Sequence, residues 1–190
     1  GATKNQNFIK RWKARVGEAE ATRIKNHSAS RGTAMHKFLE HHVLGTGYED
    51  LTLIGNEARP MANKIIEVGL APVAEYYGSE VMLHYPGLYA GSTDLICLHN
   101  SKETVVDFKQ SNRPKKKEWI EDYYLQISAY AMAHDYVYGS QIQQGVIMVC
   151  TPDLYYQEFK VEGLELRKYK HKFLKRLDMY NELIHDEKER

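Results

Sequence analysis

Three observations predict the fold class of this 190-residue chain, an α/β fold in which helices flank a mixed central sheet. Apolar residues recur at helical spacing through the first third of the chain. The spacing then changes to the alternation typical of strands, in three runs separated by short turns. A long helical stretch, two further strand-like runs and a closing helix complete the pattern. A chain of this length can bury a full hydrophobic core, so we expect a single domain.

The first third of the sequence predicts a helical region that precedes the sheet. A first helix lies within residues 1–25, where apolar residues recur at helical spacing among charged ones. Residues 26–30 are polar and offer N-caps for a second helix, which ends near Gly45. A third helix is predicted from Pro60, a favourable first-turn residue, to about Tyr77.

Three strands are predicted next, over residues 80–86, 89–98 and 104–110. Pro86-Gly87 and Asn100-Ser101 are typical turn pairs, so each should connect neighbouring antiparallel strands. The three strands therefore form a meander in the predicted sheet.

The remaining sequence predicts a helix, two strands and a closing helix. Residues 118–138 form the long helix, which Gly139 ends. Residues 144–150 and 155–161 are the strands, with a Pro-Asp turn between them. A basic amphipathic helix runs from about residue 164 to residue 185.

The composition excludes several classes of protein. The net charge is only +1, so any affinity for nucleic acid must come from local patches. The two cysteines, Cys97 and Cys150, lie in apolar runs and are expected to be reduced core residues, too few to ligate an iron–sulfur cluster. No run of 18 apolar residues and no signal peptide is present, so we expect no membrane association. The chain starts at Gly1 without a methionine, which is typical of a processed or truncated chain.

The strongest candidate site combines two predicted strands. In Asp107-Phe108-Lys109 the two-residue period of a strand sends Asp107 and Lys109 to one face and Phe108 to the other. Asp94 lies on the preceding hairpin strand, within reach of a cross-strand contact. A buried carboxylate must be paired, hydrogen-bonded or bound to a metal. Two carboxylates and an ammonium favour Mg²⁺- or Mn²⁺-assisted phosphodiester hydrolysis, and a structural Asp–Lys salt bridge is the alternative.

Two helices offer further candidates. Gln126 and Tyr130 lie four residues apart on the long helix and share a face, where they could orient a lysine or a phosphate. His36 and Glu40 have the same spacing on the second helix. A structural role is the alternative for both pairs. Each helix would then pack on the core, with the Tyr130 hydroxyl hydrogen-bonded and His36 serving as a structural histidine.

A basic loop follows the candidate site and could hold backbone phosphates. Aromatic side chains next to it could stack unpaired bases. A solvated loop and ordinary helix packing are the alternatives. The loop and its aromatic neighbours comprise Lys109, Arg113, Lys115, Lys116, Lys117, Trp119, Tyr123 and Tyr124.

An ordered set of short motifs resembles the PD-(D/E)xK nuclease superfamily. The motifs read R-G-T-A-M-H, G-S-T-D, D-F-K and L-Q-I-S-A-Y, and the resemblance covers roughly residues 12 to 183. Within the superfamily, the motifs resemble the RecB- and Cas4-like branch. Within that branch they most resemble those of the mitochondrial genome maintenance exonuclease. The resemblance implies a restriction-endonuclease-like core. Some members of the branch carry cysteines for an iron–sulfur cluster, which this chain does not, so that sub-branch is excluded.

The resemblance also implies a role for each matching position. The expected metal ligands are His36, Asp94, Asp107 and the carbonyl of Phe108. The expected catalytic residues are Asp94, Asp107, Lys109, Gln126 and Tyr130. Glu80 matches an acidic position without a defined role. The residues expected to contact nucleic acid are Arg31, Ser111, Arg113, Lys115, Lys116, Lys117, Trp119 and Tyr123.

These expectations together predict a Mg²⁺- or Mn²⁺-dependent exonuclease that degrades single-stranded DNA from its ends. A structure-specific endonuclease of the resolvase type and a non-catalytic nucleic-acid-binding module are the alternatives. Recombination and repair in a phage or bacterial setting would suit such an enzyme.

We expect one nuclease domain over residues 1–190, with a core over 31–190. Residues 1–30 would form a helical region that arches over the site. The expected assembly is a monomer, and the sequence names no protein partner. The expected location is the cytoplasm of a bacterial or phage-infected cell, or the mitochondrial matrix for a eukaryotic homologue.

Overall fold

The computed structural model describes residues 2–85 and 89–189, which form a mixed sheet flanked by helices. The helices are α1 (Ala2–Val16), α2 (Glu18–Leu44), α3 (Leu53–Lys64), α4 (Glu121–Tyr138) and α5 (Gly163–Lys188). The strands are β1 (Val73–Tyr85), β2 (Tyr89–His99), β3 (Lys102–Gln110), β4 (Gln144–Cys150) and β5 (Tyr156–Glu162). A π-helical turn, Ile65–Gly69, extends α3, and a 3-10 turn, Lys117–Trp119, precedes α4. Within these ranges no helix has the length and apolar character that crossing a membrane requires.

The sheet has the strand order β1-β2-β3-β4-β5. Neighbouring strands are antiparallel except β3 and β4, which are parallel. A parallel pair needs a crossover connection, and α4 supplies it. The predicted mixed sheet and fold class are therefore confirmed.

The two faces of the sheet have separate hydrophobic cores, because alternate residues of each strand point to opposite faces. Helices α2 and α3 cover one face, and α4 and α5 cover the other. The first core includes Met35, Leu39, Met61, Cys97, Val106, Phe108, Met148 and Cys150. The second includes Val105, Tyr124, Ile127, Ile147, Val149, Val161 and Leu166. Both cysteines are buried free thiols, as predicted.

The predicted start of the second helix at residue 31 is wrong, because α2 continues through the polar segment 26–30. Ser28 lies inside this continuous helix, and its polar side chain is satisfied there. Its hydroxyl donates a hydrogen bond of 2.8 Å to the carbonyl of Ile24 one turn earlier. The actual break lies at Gly17, which has a φ of 84° between α1 and α2.

The predicted helix from Pro60 to Tyr77 is also wrong at both ends. Thr52 caps α3 by accepting a hydrogen bond of 3.1 Å from the backbone N–H of Gly55, so the helix starts before Pro60. Residues 73–77, read from the sequence as helical, belong to β1, whose pairing with β2 has two register irregularities. Tertiary pairing decides the conformation of such a segment.

The later elements agree with the sequence to within a few residues. Asn100 and Ser101 form the predicted turn between β2 and β3 with φ values of 48° and 65°. Gly139 ends α4 in the left-handed conformation with a φ of 64°. The predicted Pro86-Gly87 turn lies outside the described residues.

Candidate active site

Asp94 and Asp107 meet where β2 separates from β3. The β2–β3 ladder ends at the pair Leu95 and Val106, and one further step in the same register places Asp94 opposite Asp107. Beyond that point β3 continues beside β4. The two carboxylates therefore lie at the open end of the β2–β3 pair, as the hairpin spacing predicts.

Asp107 is a buried carboxylate whose charge is only partly compensated. Its residue is 6% exposed. Lys109 Nζ lies 3.0 Å from Asp107 Oδ2, but among the described residues this oxygen receives no hydrogen bond of good geometry. Burial and the charge of Asp94 raise the pKa of Asp107, and the lysine opposes that shift. A cation at this position would stabilise the charged form.

His36 reaches the acidic pair from α2. Its Nδ1 lies 2.8 Å from the carbonyl of Gly32, and its Nε2 lies 3.2 Å from Asp94 Oδ2. Burial lowers the pKa of His36, but the hydrogen bond and charge of Asp94 outweigh it and raise the pKa to about 9. Donation from Nδ1 to the carbonyl leaves Nε2 directed at the carboxylates, the orientation that a metal-binding histidine requires.

Phe108 points to the α2 face of β3, opposite to Asp107 and Lys109. Its side chain packs in the core beneath α2, with its ring centroid 6.2 Å from that of His36. Its backbone N–H donates a hydrogen bond of 2.7 Å to Asp94 Oδ2. Burial raises the pKa of Asp94, but His36, Asp107 and this N–H together outweigh burial and lower it. Metal ligation by the Phe108 carbonyl stays a prediction.

Lys109, Gln126 and Tyr130 form a hydrogen-bonded chain on the α4 face. Lys109 Nζ donates to Gln126 Oε1 at 3.1 Å, and Gln126 Nε2 donates to the Tyr130 hydroxyl at 2.9 Å. The lack of a side chain at Gly91 makes room for Tyr130, since a Cβ there would lie 3.1 Å from the ring. Burial lowers the pKa of Lys109, but Asp107 outweighs it and raises it. The sequence predicted that these three side chains belong to one site, and in the structure they are hydrogen-bonded to one another.

An open cleft of about 590 Å³ exposes this cluster. The cleft is bounded by α2 on one side and α4 on the other, with the strand ends as its floor. The catalytic and ligand candidates that line it are His36, Asp94, Asp107, Phe108, Lys109, Gln126 and Tyr130.

The chemistry of the cleft fits a divalent cation held mainly by carboxylates. In the part of the chain that the structure describes, no three His, Cys, Asp or Glu side chains form a ready-made metal cage. His36 instead pairs directly with Asp94, and Lys109 pairs with Asp107. Mg²⁺ keeps several waters and needs only one or two protein carboxylates. The under-compensated Asp107 therefore fits such an ion without a preformed cage.

Glu80 faces the same cleft from β1. It stands level with Asp94 between the pairs Ser79–Leu95 and Val81–Thr93, and it has a φ of 49°. Burial and the charge of Asp94 raise its pKa. The structure thus places a third carboxylate near the pair, and within residues 2–85 and 89–189 it forms no ion pair.

The predicted nucleic-acid contacts fall into two groups. The first is exposed along the loop before α4, where the Trp119 ring is 63% exposed and lies under the Lys116 ammonium at 5.0 Å. That exposed group comprises Arg113, Lys116, Lys117 and Trp119, with Lys115 half-buried beside them.

The second group is engaged inside the protein. Arg31 and Ser111 are each 6% exposed. The Ser111 hydroxyl donates to the carbonyl of Arg113, and Tyr123 lies beneath the Lys109 ammonium, 4.8 Å from it. Direct contacts of these three side chains with nucleic acid stay predictions, and each would require its present partners to be given up.

Several polar residues beside the cleft were not identified from the sequence. Gln110 and Asn112 follow Lys109 along the chain. Ser28 of α2 hydrogen-bonds to Asn112, and Glu57 of α3 pairs with Arg31. The polar residues after D-F-K could have signalled the first two. Ser28 is 84 residues from Asn112, and no local pattern announces such a contact.

Comparison with known proteins gives two curated relatives. Mitochondrial genome maintenance exonuclease 1 of Mus musculus is 32% identical over 189 residues, which cover 92% of this chain and 54% of that protein. Its counterpart in Xenopus tropicalis is 28% identical over 160 residues, covering 77% of this chain and 44% of that protein. This chain therefore spans about half the length of the curated relatives it matches.

A solved structure supports the fold independently. A proposed exonuclease from Eubacterium rectale superposes with a TM-score of 0.51 at 13% identity, covering 78% of this chain and 64% of that one. At this identity the likeness establishes the architecture. No protein-family model matches the chain.

Proposed function

This chain belongs to the PD-(D/E)xK nucleases and is a relative of the mitochondrial genome maintenance exonucleases, and on that premise we propose that it hydrolyses phosphodiester bonds of DNA. The observation that carries the proposal is the convergence of Asp94, Asp107 and Lys109 in one open cleft. The acidic pair would bind a cation, and the lysine would position the attacking water. A purely structural salt bridge would have no need of the cleft or of the adjoining histidine.

We propose Mg²⁺ or Mn²⁺ as the cofactor, held by Asp94 and Asp107 with His36 and the Phe108 carbonyl. A bound cation would increase the acidity of the attacking water and offset the charge that develops on the phosphate. Support comes from the raised pKa of Asp107, caused by its burial and by the charge of Asp94. A buried carboxylate beside a second one favours a cation over a neutral ligand.

Lys109 is the proposed group that positions the attacking water and offsets the negative charge that develops in the transition state. Its ammonium is held between Asp107 Oδ2 at 3.0 Å and Gln126 Oε1 at 3.1 Å. Tyr130 fixes the amide of Gln126 through its hydroxyl. The lysine is therefore restrained from two sides, and its side chain still reaches the cleft.

The proposed substrate is single-stranded DNA, degraded from an end. The exposed basic loop supplies cations for backbone phosphates, and the Trp119 ring beside Lys116 suits stacking with an unpaired base. The α1 sequence contains basic residues but no acidic ones. We propose that this helical region of residues 1–30 lies over the substrate path. The names of the relatives describe exonucleases, which favours ends over internal cleavage.

The remaining expectations are carried forward as proposals. The chain would act as one nuclease domain and as a monomer in recombination or repair. Mitochondria, named for the relatives, are the proposed location in a eukaryotic cell. In a bacterial or phage-infected cell the enzyme would act in the cytoplasm.

The test uses end-labelled linear and circular DNA, single-stranded and duplex, with Mg²⁺, Mn²⁺ or EDTA. We expect loss of linear single strands with a metal and none with EDTA, and the position of the label gives the polarity. Lys109→Ala should abolish the loss. Rapid cutting of circles would instead identify a structure-specific endonuclease. Retention of DNA binding without cleavage under any metal would identify a non-catalytic binding module.

A further inference from the structure

A buried arginine joins three separate elements beside the active site. Arg31 of α2 is 6% exposed. Its Nε donates to Gln110 Oε1 at 2.9 Å, and its Nη2 donates to Asn112 Oδ1 at 2.6 Å. Its Nη1 lies 3.4 Å from Glu57 Oε1 of α3. All three nitrogens of the guanidinium are thus engaged with protein groups.

This arrangement ties the catalytic strand to the helix that carries the histidine. Gln110 directly follows Lys109 at the end of β3, and its side chain packs against Gly32 of α2. The fit is close, because a Cβ on Gly32 would lie 3.2 Å from Gln110 Cγ. The carbonyl of Gly32 in turn accepts the hydrogen bond from His36 Nδ1. Arg31 is therefore connected to His36 through Gln110 and Gly32.

We infer that Arg31 is a positioning residue of the active site and makes no direct contact with the nucleic acid. It holds the end of β3 against α2, so that His36 stays within reach of Asp94 and Asp107. The inference rests on the proposed function, because it assigns a residue to the same site.

The chemistry of the guanidinium explains why an arginine is needed here. Its planar fork of N–H donors can serve Gln110, Asn112 and Glu57 at once, whereas a lysine ammonium on a flexible stem cannot reproduce that geometry. Buried charge also requires a counter-charge and hydrogen bonds, and Glu57 with the two amides supplies them. Binding a phosphate would mean breaking these bonds.

The experiment compares wild type with Arg31→Gln, Arg31→Lys and Asn112→Ala. Calorimetry gives the affinity for Mn²⁺ alone, without DNA. Binding of a labelled single-stranded oligonucleotide in EDTA, over a series of salt concentrations, counts the phosphate contacts. Arg113→Gln, on the exposed loop, provides the contrast expected of a residue that does contact phosphate.

A positioning role predicts that all three variants weaken Mn²⁺ binding, by about tenfold for Arg31→Gln, the size typical of residues that support metal ligands. The salt dependence of DNA binding should stay at the wild-type value in these variants. In Arg113→Gln the slope should shrink by about 0.7, the value for one phosphate of a single strand. Asn112→Ala keeps the arginine, so it also tests the connection if Arg31→Gln does not fold.

Two results would overturn the inference. One is a reduced salt slope in Arg31→Gln with unchanged Mn²⁺ affinity, which means a phosphate contact. The other is a wild-type Mn²⁺ affinity in Arg31→Lys, which means that charge alone matters. Failure of the proposed function has a different signature, since wild type would then cleave no DNA with Mn²⁺.

Discussion

Replacing Lys109 by methionine tests the proposed chemistry most directly, because it separates the catalytic step from metal binding. The substitution keeps most of the volume of the side chain and removes its charge. Lys109 Nζ lies 3.0 Å from Asp107 Oδ2. The substitution therefore takes a competing cation away from a proposed metal ligand.

The expected loss of activity follows from the role of the lysine. A positioned donor that stabilises the charge developing in the transition state contributes about 10²- to 10³-fold to a rate. At about 1.36 kcal/mol for each tenfold change, the transition state should lose about 3 to 4 kcal/mol of stabilisation. Metal affinity should change in the opposite sense, because the charge removed is positive and adjacent to Asp107. We expect Lys109→Met to bind Mn²⁺ at least as tightly as wild type.

The metal-free variant should also be less stable. The lysine side chain is 24% exposed, and it loses an ion pair with Asp107 and a hydrogen bond to Gln126. Charged hydrogen bonds of this kind contribute about 1.5 to 3 kcal/mol. Uptake of a proton by Asp107 limits the cost, since burial and Asp94 already raise the pKa of that carboxyl.

Three measurements decide the outcome. Single-turnover cleavage of a linear strand gives the rate of the chemical step, calorimetry gives the Mn²⁺ affinity, and thermal unfolding in EDTA gives the stability. A cleavage rate within threefold of wild type would refute the role given to Lys109. A slow variant that has also lost Mn²⁺ binding would show that the lysine supports the metal site, contrary to the reasoning above.

Three further predictions concern the same site. Asp107→Asn should abolish Mn²⁺ binding seen by calorimetry, because it removes a proposed carboxylate ligand; a wild-type Mn²⁺ affinity would contradict this. In EDTA, wild-type stability should fall as pH rises from 6 to 9. The pKa of Asp107 is raised by burial and by the charge of Asp94, and that of His36 is raised to about 9 because Asp94 outweighs burial. His36 stabilises the protein fully below its ordinary pKa of 6.5 and loses that contribution as the pH rises to about 9. The loss from Asp107 begins near its ordinary pKa of 3.8 and is complete once the pH passes its raised pKa. Stability that is flat over this range by chemical denaturation would argue against the pairing. Tyr130→Phe should slow cleavage about tenfold or less, since it loses one hydrogen bond to Gln126; a loss as large as that of Lys109→Met would give Tyr130 a more direct role.

Local periodicity predicted those parts of the site that lie close together in sequence. The alternation of a strand placed Asp107 and Lys109 on one face and Phe108 on the other, and the structure has this arrangement. The four-residue period of a helix placed Gln126 beside Tyr130, which are hydrogen-bonded. Such relations depend only on backbone geometry, so the sequence is sufficient to predict them.

Local patterns were insufficient where distant segments compete for one stretch of chain. The polar residues 26–30 read as a cap, yet Ser28 satisfies its hydroxyl inside α2. Residues 73–77 read as helix, yet pairing with β2 makes them a strand. There a tertiary partner outweighed the intrinsic preference of the segment, whereas Ser28 is satisfied within its own helix.

The sequence was sufficient to predict the order of most elements and the candidate acidic pair with its lysine. The folded structure was needed to bring His36 Nε2 within 3.2 Å of Asp94. It alone revealed that Arg31 is bound to residues 79 and 81 positions away. The reason is physical. Period and propensity act over a few residues, whereas burial of a charge is settled by whichever distant groups the folded chain brings within hydrogen-bonding distance.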